Sequence, residues 1–155
     1  MLATIFIELS LLVYAIVRYK MTPALRMAAV LLILLASFQI AEFNVCGSQI
    51  GAADAWSRFG YVAITLLPAL GIHFVLLIAQ KSMRWLLWIV YGLSAAFAAT
   101  FAFSATAFNN HICTGNYVIF QLAHPVGGMF FTYYFTLLFI GIGMCLYYSR
   151  QATQK

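Results

Sequence analysis

The chain has 155 residues, of which 65% are hydrophobic and 7% charged. A soluble domain carries about 25% charged residues, so eight Lys/Arg and three Asp/Glu cannot furnish a water-facing surface for a chain of this length. The net charge of +5 does not point to nucleic acid, because the basic residues form no stripe with interleaved aromatics. They stand at the ends of apolar runs, where membrane proteins keep their anchors.

The first apolar run, 2–17, has no basic residue before it and so does not read as a cleavable signal. It contains Glu8 and is followed by Arg18 and Lys20, and it reads as a retained helix over 2–18. Four further runs follow at 24–45, 56–80, 85–108 and 125–148. A helix needs about 20 mostly apolar residues to cross a bilayer. Inside lipid every backbone polar group must be satisfied within the protein, which leaves helices or a closed barrel. These runs are too long and too continuously apolar for barrel strands. The expected fold class is therefore all-α, an integral membrane bundle of five transmembrane helices in a single domain.

The connections 19–23 and 81–84 are short, whereas 46–55 and 109–124 are longer and fall on the opposite side. Arg18, Lys20, Arg26, Lys81, Arg84, Arg150 and Lys155 collect on the side of the short connections, against Arg58 alone on the other. By the positive-inside rule the N-terminus is expected outside and the C-terminus in the cytoplasm. Trp56, Trp85, Trp88, Tyr147 and Tyr148 lie near helix ends, as an aromatic belt does.

Four groups of residues are candidates for chemistry. Cys46 and Cys113 both fall in the outer connections, in a compartment that permits disulfides, and a bridge between them is expected. Cys145, near the cytoplasmic end of the last helix, reads as a small apolar filler. Gln39, Glu42 and Cys46 share a helical face, with Arg58 and Tyr61 at the outer start of the third helix. An acid in a membrane helix is costly and should turn inward toward a partner, for which Arg58 is the natural choice. That pair is either the anchor of a ligand-binding pocket or a structural ion pair. Pro68 removes a backbone donor mid-helix and marks a kink or hinge, and His73 is expected to hydrogen-bond a neighbouring helix. The outer connection offers Asn109, Asn110, His111, Asn116, Tyr117, Gln121 and His124; its two histidines are too scattered to argue for a metal site, and a short re-entrant or interfacial turn is expected over 117–122. Gly92, Ala95, Ala96, Ala99 and Ala102 form a small-residue face on the fourth helix, directed into the bundle or toward a partner. No phosphate-binding glycine loop, Ser–His–acid set or paired acids are present, so an enzyme is not expected, and no cofactor can be assigned.

The stretch FQIAEF at 38–43, a short loop, and WSRFGYVAITLLPALGIHF at 56–74 resemble the seven-helix N-terminal sensor region of bacterial membrane histidine kinases. Glu42, Trp56 and Pro68 match that region's late acid, aromatic start and mid-helix proline. NNHICTGNY at 109–117 is similar to its fourth–fifth connection, with His111, Tyr133 and Tyr134 in the pattern, and SRQATQK at 149–155 resembles its next cytoplasmic loop. The resemblance implies a bacterial inner membrane location and a small-ligand pocket lined by Glu42, Arg58 and the outer connection. It also implies seven helices before a kinase. The present sequence carries five, as a fragment or a stand-alone relative would.

Two functions follow as expectations. One is a sensor-like module that binds a small ligand or partner at its outer face through Glu42, Arg58, Gln39, Tyr61 and His111, with Pro68 as the hinge. The other is an accessory subunit of a larger membrane complex. A transport or redox role through His73 is the weaker third. The expected partners are the lipid bilayer and other membrane subunits, with no nucleic acid.

Overall fold

The computed structural model describes residues 2–47, 52–104, 107–114 and 118–153. It contains α1 (Leu2–Arg18), α2 (Pro23–Gly47), α3 (Ala52–Ile78), α4 (Arg84–Phe103), β1 (Phe108–Cys113), β2 (Val118–Leu122) and α5 (Val126–Thr153). The five expected helices are present. Four of them, α2 to α5, are long and apolar enough to cross a membrane. At 17 residues α1 is about 25 Å long, a little short of the ~30 Å hydrocarbon core.

Local chemistry sets the helix ends. Pro23 opens α2, where its missing N–H costs nothing, and the Thr22 hydroxyl accepts the Leu25 N–H at 3.2 Å as an N-cap. At the end of α3, Gln80 adopts a left-handed φ of 53°. Its N–H bonds the Leu77 carbonyl and the Lys81 N–H bonds that of Leu76, closing a Schellman turn.

The bundle is built around α3. Helices α2, α4 and α5 pack on it, and α1 lies at the margin against α2. The core combines Tyr61, Ile72 and Leu76 of α3 with Val90 and Phe101 of α4 and Phe130, Tyr133 and Leu137 of α5. The closest approach is between α2 and α3. A Cβ at Gly60 would lie 3.0 Å from the Ala41 Cβ, and Ala29, Ala36 and Ala41 are the small residues that α2 buries. The small-residue face expected on α4 has the other orientation open to it: Gly92, Ala95, Ala96, Ala99 and Ala102 are all exposed, turned away from the bundle.

Two expectations are corrected at the hairpin end. The fourth helix stops at Phe103 instead of 108, because Ser104 turns to an extended backbone and Phe108 is drawn into the next strand. The segment expected to hold a short turn over 117–122 instead supplies β2, paired antiparallel with β1 from Cys113↔Val118 back to Phe108↔Leu122, with an irregularity between Phe108 and Asn110. The β-branched Val118 and Ile119 suit that pairing. A cis His124–Pro125 bond leads from the hairpin into α5.

Candidate functional site

The hairpin brings together the helix ends beneath it. Cys46, at the end of α2, is bridged to Cys113, the last residue of β1, with Cα atoms 5.8 Å apart. The expected disulfide is thus present. Beside it, Val45, Ala53 and Val118 form a small apolar cluster with Trp56 and Phe120. The Ala123 N–H bonds the Ala107 carbonyl at 3.0 Å and closes the hairpin's base. Leu122 abuts the first turn of α5, where a Cβ at Gly127 would stand 3.1 Å from that of Leu122.

Tyr61 lies at the centre of an aromatic cluster under the hairpin. Its ring centroid is 4.9 Å from that of Phe101, 5.1 Å from Phe108, 5.2 Å from Phe120 and 5.6 Å from Phe130. These rings come from α4, β1, β2 and α5, so one side chain of α3 contacts four elements at this end, though not α2. Glu42 of α2 supplies that last connection. It is half-buried, its carboxylate accepts the Val118 backbone N–H, and it interacts electrostatically with Tyr61.

Arg58 is not the partner of Glu42. Its Nε bonds the Asp54 carboxylate at 2.9 Å, one helical turn earlier. Its guanidinium also donates to the Ser104 carbonyl at 2.7 Å and, at 3.4 Å, to that of Ala102. A helix C-terminus presents carbonyls without intrahelical donors, and a cation there also meets the negative end of the helix dipole. Arg58 therefore closes the end of α4, while a backbone N–H serves Glu42.

Gln39 turns the other way, to α1. Its amide donates to Glu8 Oε1 at 2.7 Å and its carbonyl oxygen accepts the Thr4 hydroxyl. Glu8 Oε2 is buried with no hydrogen-bond partner among the described residues. Of the five residues expected to line one pocket, the four with described side chains divide among three places. Glu42 and Tyr61 are together under the hairpin, Arg58 is at the end of α4, and Gln39 is on the α1 side. His111 belongs to β1, and its side chain lies outside the described residues, as do Asn116 and Tyr117. Four grooves lined by described residues do not have Glu42 in their walls. No group of three His, Cys, Asp or Glu able to hold a metal occurs among the described residues either.

Deeper in the bundle, His73 Nδ1 meets the Tyr91 hydroxyl of α4 at 2.9 Å, the expected interhelical bond. A second polar node was not expected. The Tyr133 hydroxyl donates to the Thr65 carbonyl at 2.8 Å and lies 2.7 Å from the Ser94 hydroxyl, joining α5, α3 and α4. Thr65 is three residues before Pro68, so the node braces α3 beside the carbonyl of Ile64 that the proline leaves without its usual donor. Its only trace in the sequence is that Ser94 and Tyr133 are polar atoms within apolar runs. Cys145 is exposed, not a core filler.

The backbones of α4 and α5 stay apart, bridged by Phe97, Phe101 and Ser94 reaching Phe130 and Tyr133. An open groove of about 590 Å³ remains between them, with Leu93 and Phe97 on one wall, Gly128, Thr132 and Thr136 on the other, and His124 at the hairpin end.

Comparison of the chain with protein-family models, curated protein sequences and solved structures returned no match.

Proposed function

We propose that this chain is a multi-pass membrane protein of sensor-like, non-catalytic type, whose disulfide-strapped hairpin receives a small ligand or a partner on the outer side. Four helices of spanning length support the membrane assignment. The concentration of basic residues at the end away from the hairpin supports an orientation with the hairpin outside. The resemblance to histidine-kinase sensor regions favours a bacterial inner membrane.

One observation carries the sensor reading. The hairpin is held to α2 by Cys46 and Glu42, to α3 by Tyr61, to α4 by Phe101 and to α5 by Gly127. A displacement of the hairpin is therefore felt by four helices at once, and α3 carries the proline hinge through the centre of the bundle. The receiving surface is the hairpin itself; a five-residue pocket is not needed. Reducing the strap with a thiol in nanodisc-embedded protein is a controlled displacement. Hydrogen exchange is then expected to rise at 76–87, at the far ends of α3 and α4, as well as at 107–123. A change confined to 107–123 would remove the coupling on which this reading stands.

The open α4–α5 groove favours a second reading, an accessory subunit whose partner supplies a helix there. In that case other chains co-purify in fixed stoichiometry from native membranes. A stable lone monomer in mild detergent counts against it.

A further inference from the structure

The end of the bundle away from the hairpin carries a feature that the sensor reading does not use. A groove of about 310 Å³ runs along the first two turns of α4, lined by Arg84, Leu87, Trp88 and Tyr91. These positions are spaced three and four apart and so share one helical face. Arg84 and the nearby Lys81 are exposed and have no ion-pair partner among the described residues. Trp88 is 80% exposed and stands in the groove wall. The Tyr91 hydroxyl is already bonded to His73, so the inner end of the groove offers an apolar ring and a satisfied polar atom.

Charge separates this end from the other. Glu42 and Asp54 stand at the hairpin end, and Glu8 is bonded to Gln39. The chain has no other carboxylate side chain, so no acidic side chain offsets Lys81 and Arg84. The groove is cationic at its mouth and apolar along its length.

We propose that this groove holds one anionic glycerophospholipid, with its phosphate against Arg84 and Lys81 and one acyl chain along Leu87, Trp88 and Tyr91. The Arg84 guanidinium presents a planar fork that matches phosphate oxygens. Basic pockets beside transmembrane helices take anionic headgroups for the same reason. A zwitterionic lipid brings an ammonium group into the same positive field and is disfavoured. The proposal rests on membrane insertion but not on the sensor reading.

The test uses the full chain carrying W56F and W85F, so that Trp88 is the reporter, in vesicles of phosphatidylcholine with a minor fraction of chain-brominated lipid. Brominated phosphatidylglycerol is expected to quench Trp88 more strongly than the same fraction of brominated phosphatidylcholine. Near a membrane one Lys or Arg is worth about 1 kcal/mol, so Arg84→Gln is expected to reduce the preference about fivefold. Arg84→Lys should retain part of the preference, and Arg26→Gln, away from the groove, all of it. Equal quenching by the two lipids overturns the proposal, as does a preference that survives Arg84→Gln. Displacement by millimolar inorganic phosphate also overturns it, by making the free ion the ligand. A chain that does not float with vesicles overturns the membrane assignment as well, whereas one that floats without a lipid preference overturns this proposal alone.

Discussion

Tyr133 and Gly60 show how single atoms hold this bundle together. The Tyr133 hydroxyl has one proton and gives it to the Thr65 carbonyl. Ser94 also has one proton, yet its oxygen lies 2.7 Å from Tyr133 and 2.9 Å from the Val90 carbonyl. Two protons thus serve three contacts, and the Ser94 proton is shared. Interhelical hydrogen bonds in membrane proteins average about 0.6 kcal/mol and reach about 1.7. Tyr133→Phe is expected to lower unfolding stability by an amount in that range. Combining it with Ser94→Ala should cost less than the sum of the two, because both act on one node; thermal unfolding in detergent measures both effects. At Gly60 the governing term is space. Gly60→Val forces a side chain against Ala41, and overpacking of this kind costs about 1–3 kcal/mol. Gly71→Ala meets nothing within 4 Å and should leave the same melting curve unchanged or slightly raised, since alanine is the better helix former.

Among the elements, the hairpin is the one whose removal has the clearest expected effect. The Cys46–Cys113 bridge closes a loop of 67 residues, and loss of a native disulfide costs about 2–5 kcal/mol. The C46S/C113S variant is expected to melt lower by a matching amount and to show raised hydrogen exchange in β1 and β2. Non-reducing mass spectrometry of the wild-type chain should recover the two cysteine peptides linked. The helices were legible because long apolar runs leave the backbone few alternatives, and the bridge was legible because both cysteines fall in connections on one side. The hairpin was not. Its strands have six and five residues, and an apolar run as short as VIFQL fits a strand or a helical turn equally well. The end of α4 was misplaced for a related reason, since the apolar run continues through Phe108 while the helix stops at Phe103. The Glu42–Arg58 pair was expected from charge alone. What decided otherwise was the set of orphan carbonyls at the end of α4 and a strand N–H in reach of Glu42, both products of tertiary structure that no spacing rule contains.

At the scale of the whole molecule, the arrangement is a central helix with three neighbours, a fourth helix at the margin against α2, and a cap at one end. The two ends differ in chemistry. One holds the disulfide, Glu42 and the ion pair of Arg58 with Asp54, and the other holds exposed tryptophans and cations with no ion-pair partner among the described residues. This polarity makes orientation testable. In a C145S background, Ser82→Cys places a lone reactive thiol in the exposed turn before α4. An impermeant maleimide is expected to leave it unlabelled in intact spheroplasts and to label it after lysis, and labelling of intact cells would reverse the assigned topology. The bridge has a further consequence for biogenesis. The segment between its cysteines contains all of α3 and all of α4. In a membrane-inserted chain, Cys113 reaches the compartment of Cys46 only after both helices have crossed in opposite directions. A chain in which one of them fails to insert leaves the two thiols on different sides of the bilayer. The oxidised bond is therefore a chemical record of completed insertion, and free thiols at these positions in newly made protein would mark the molecules that a quality-control protease should remove.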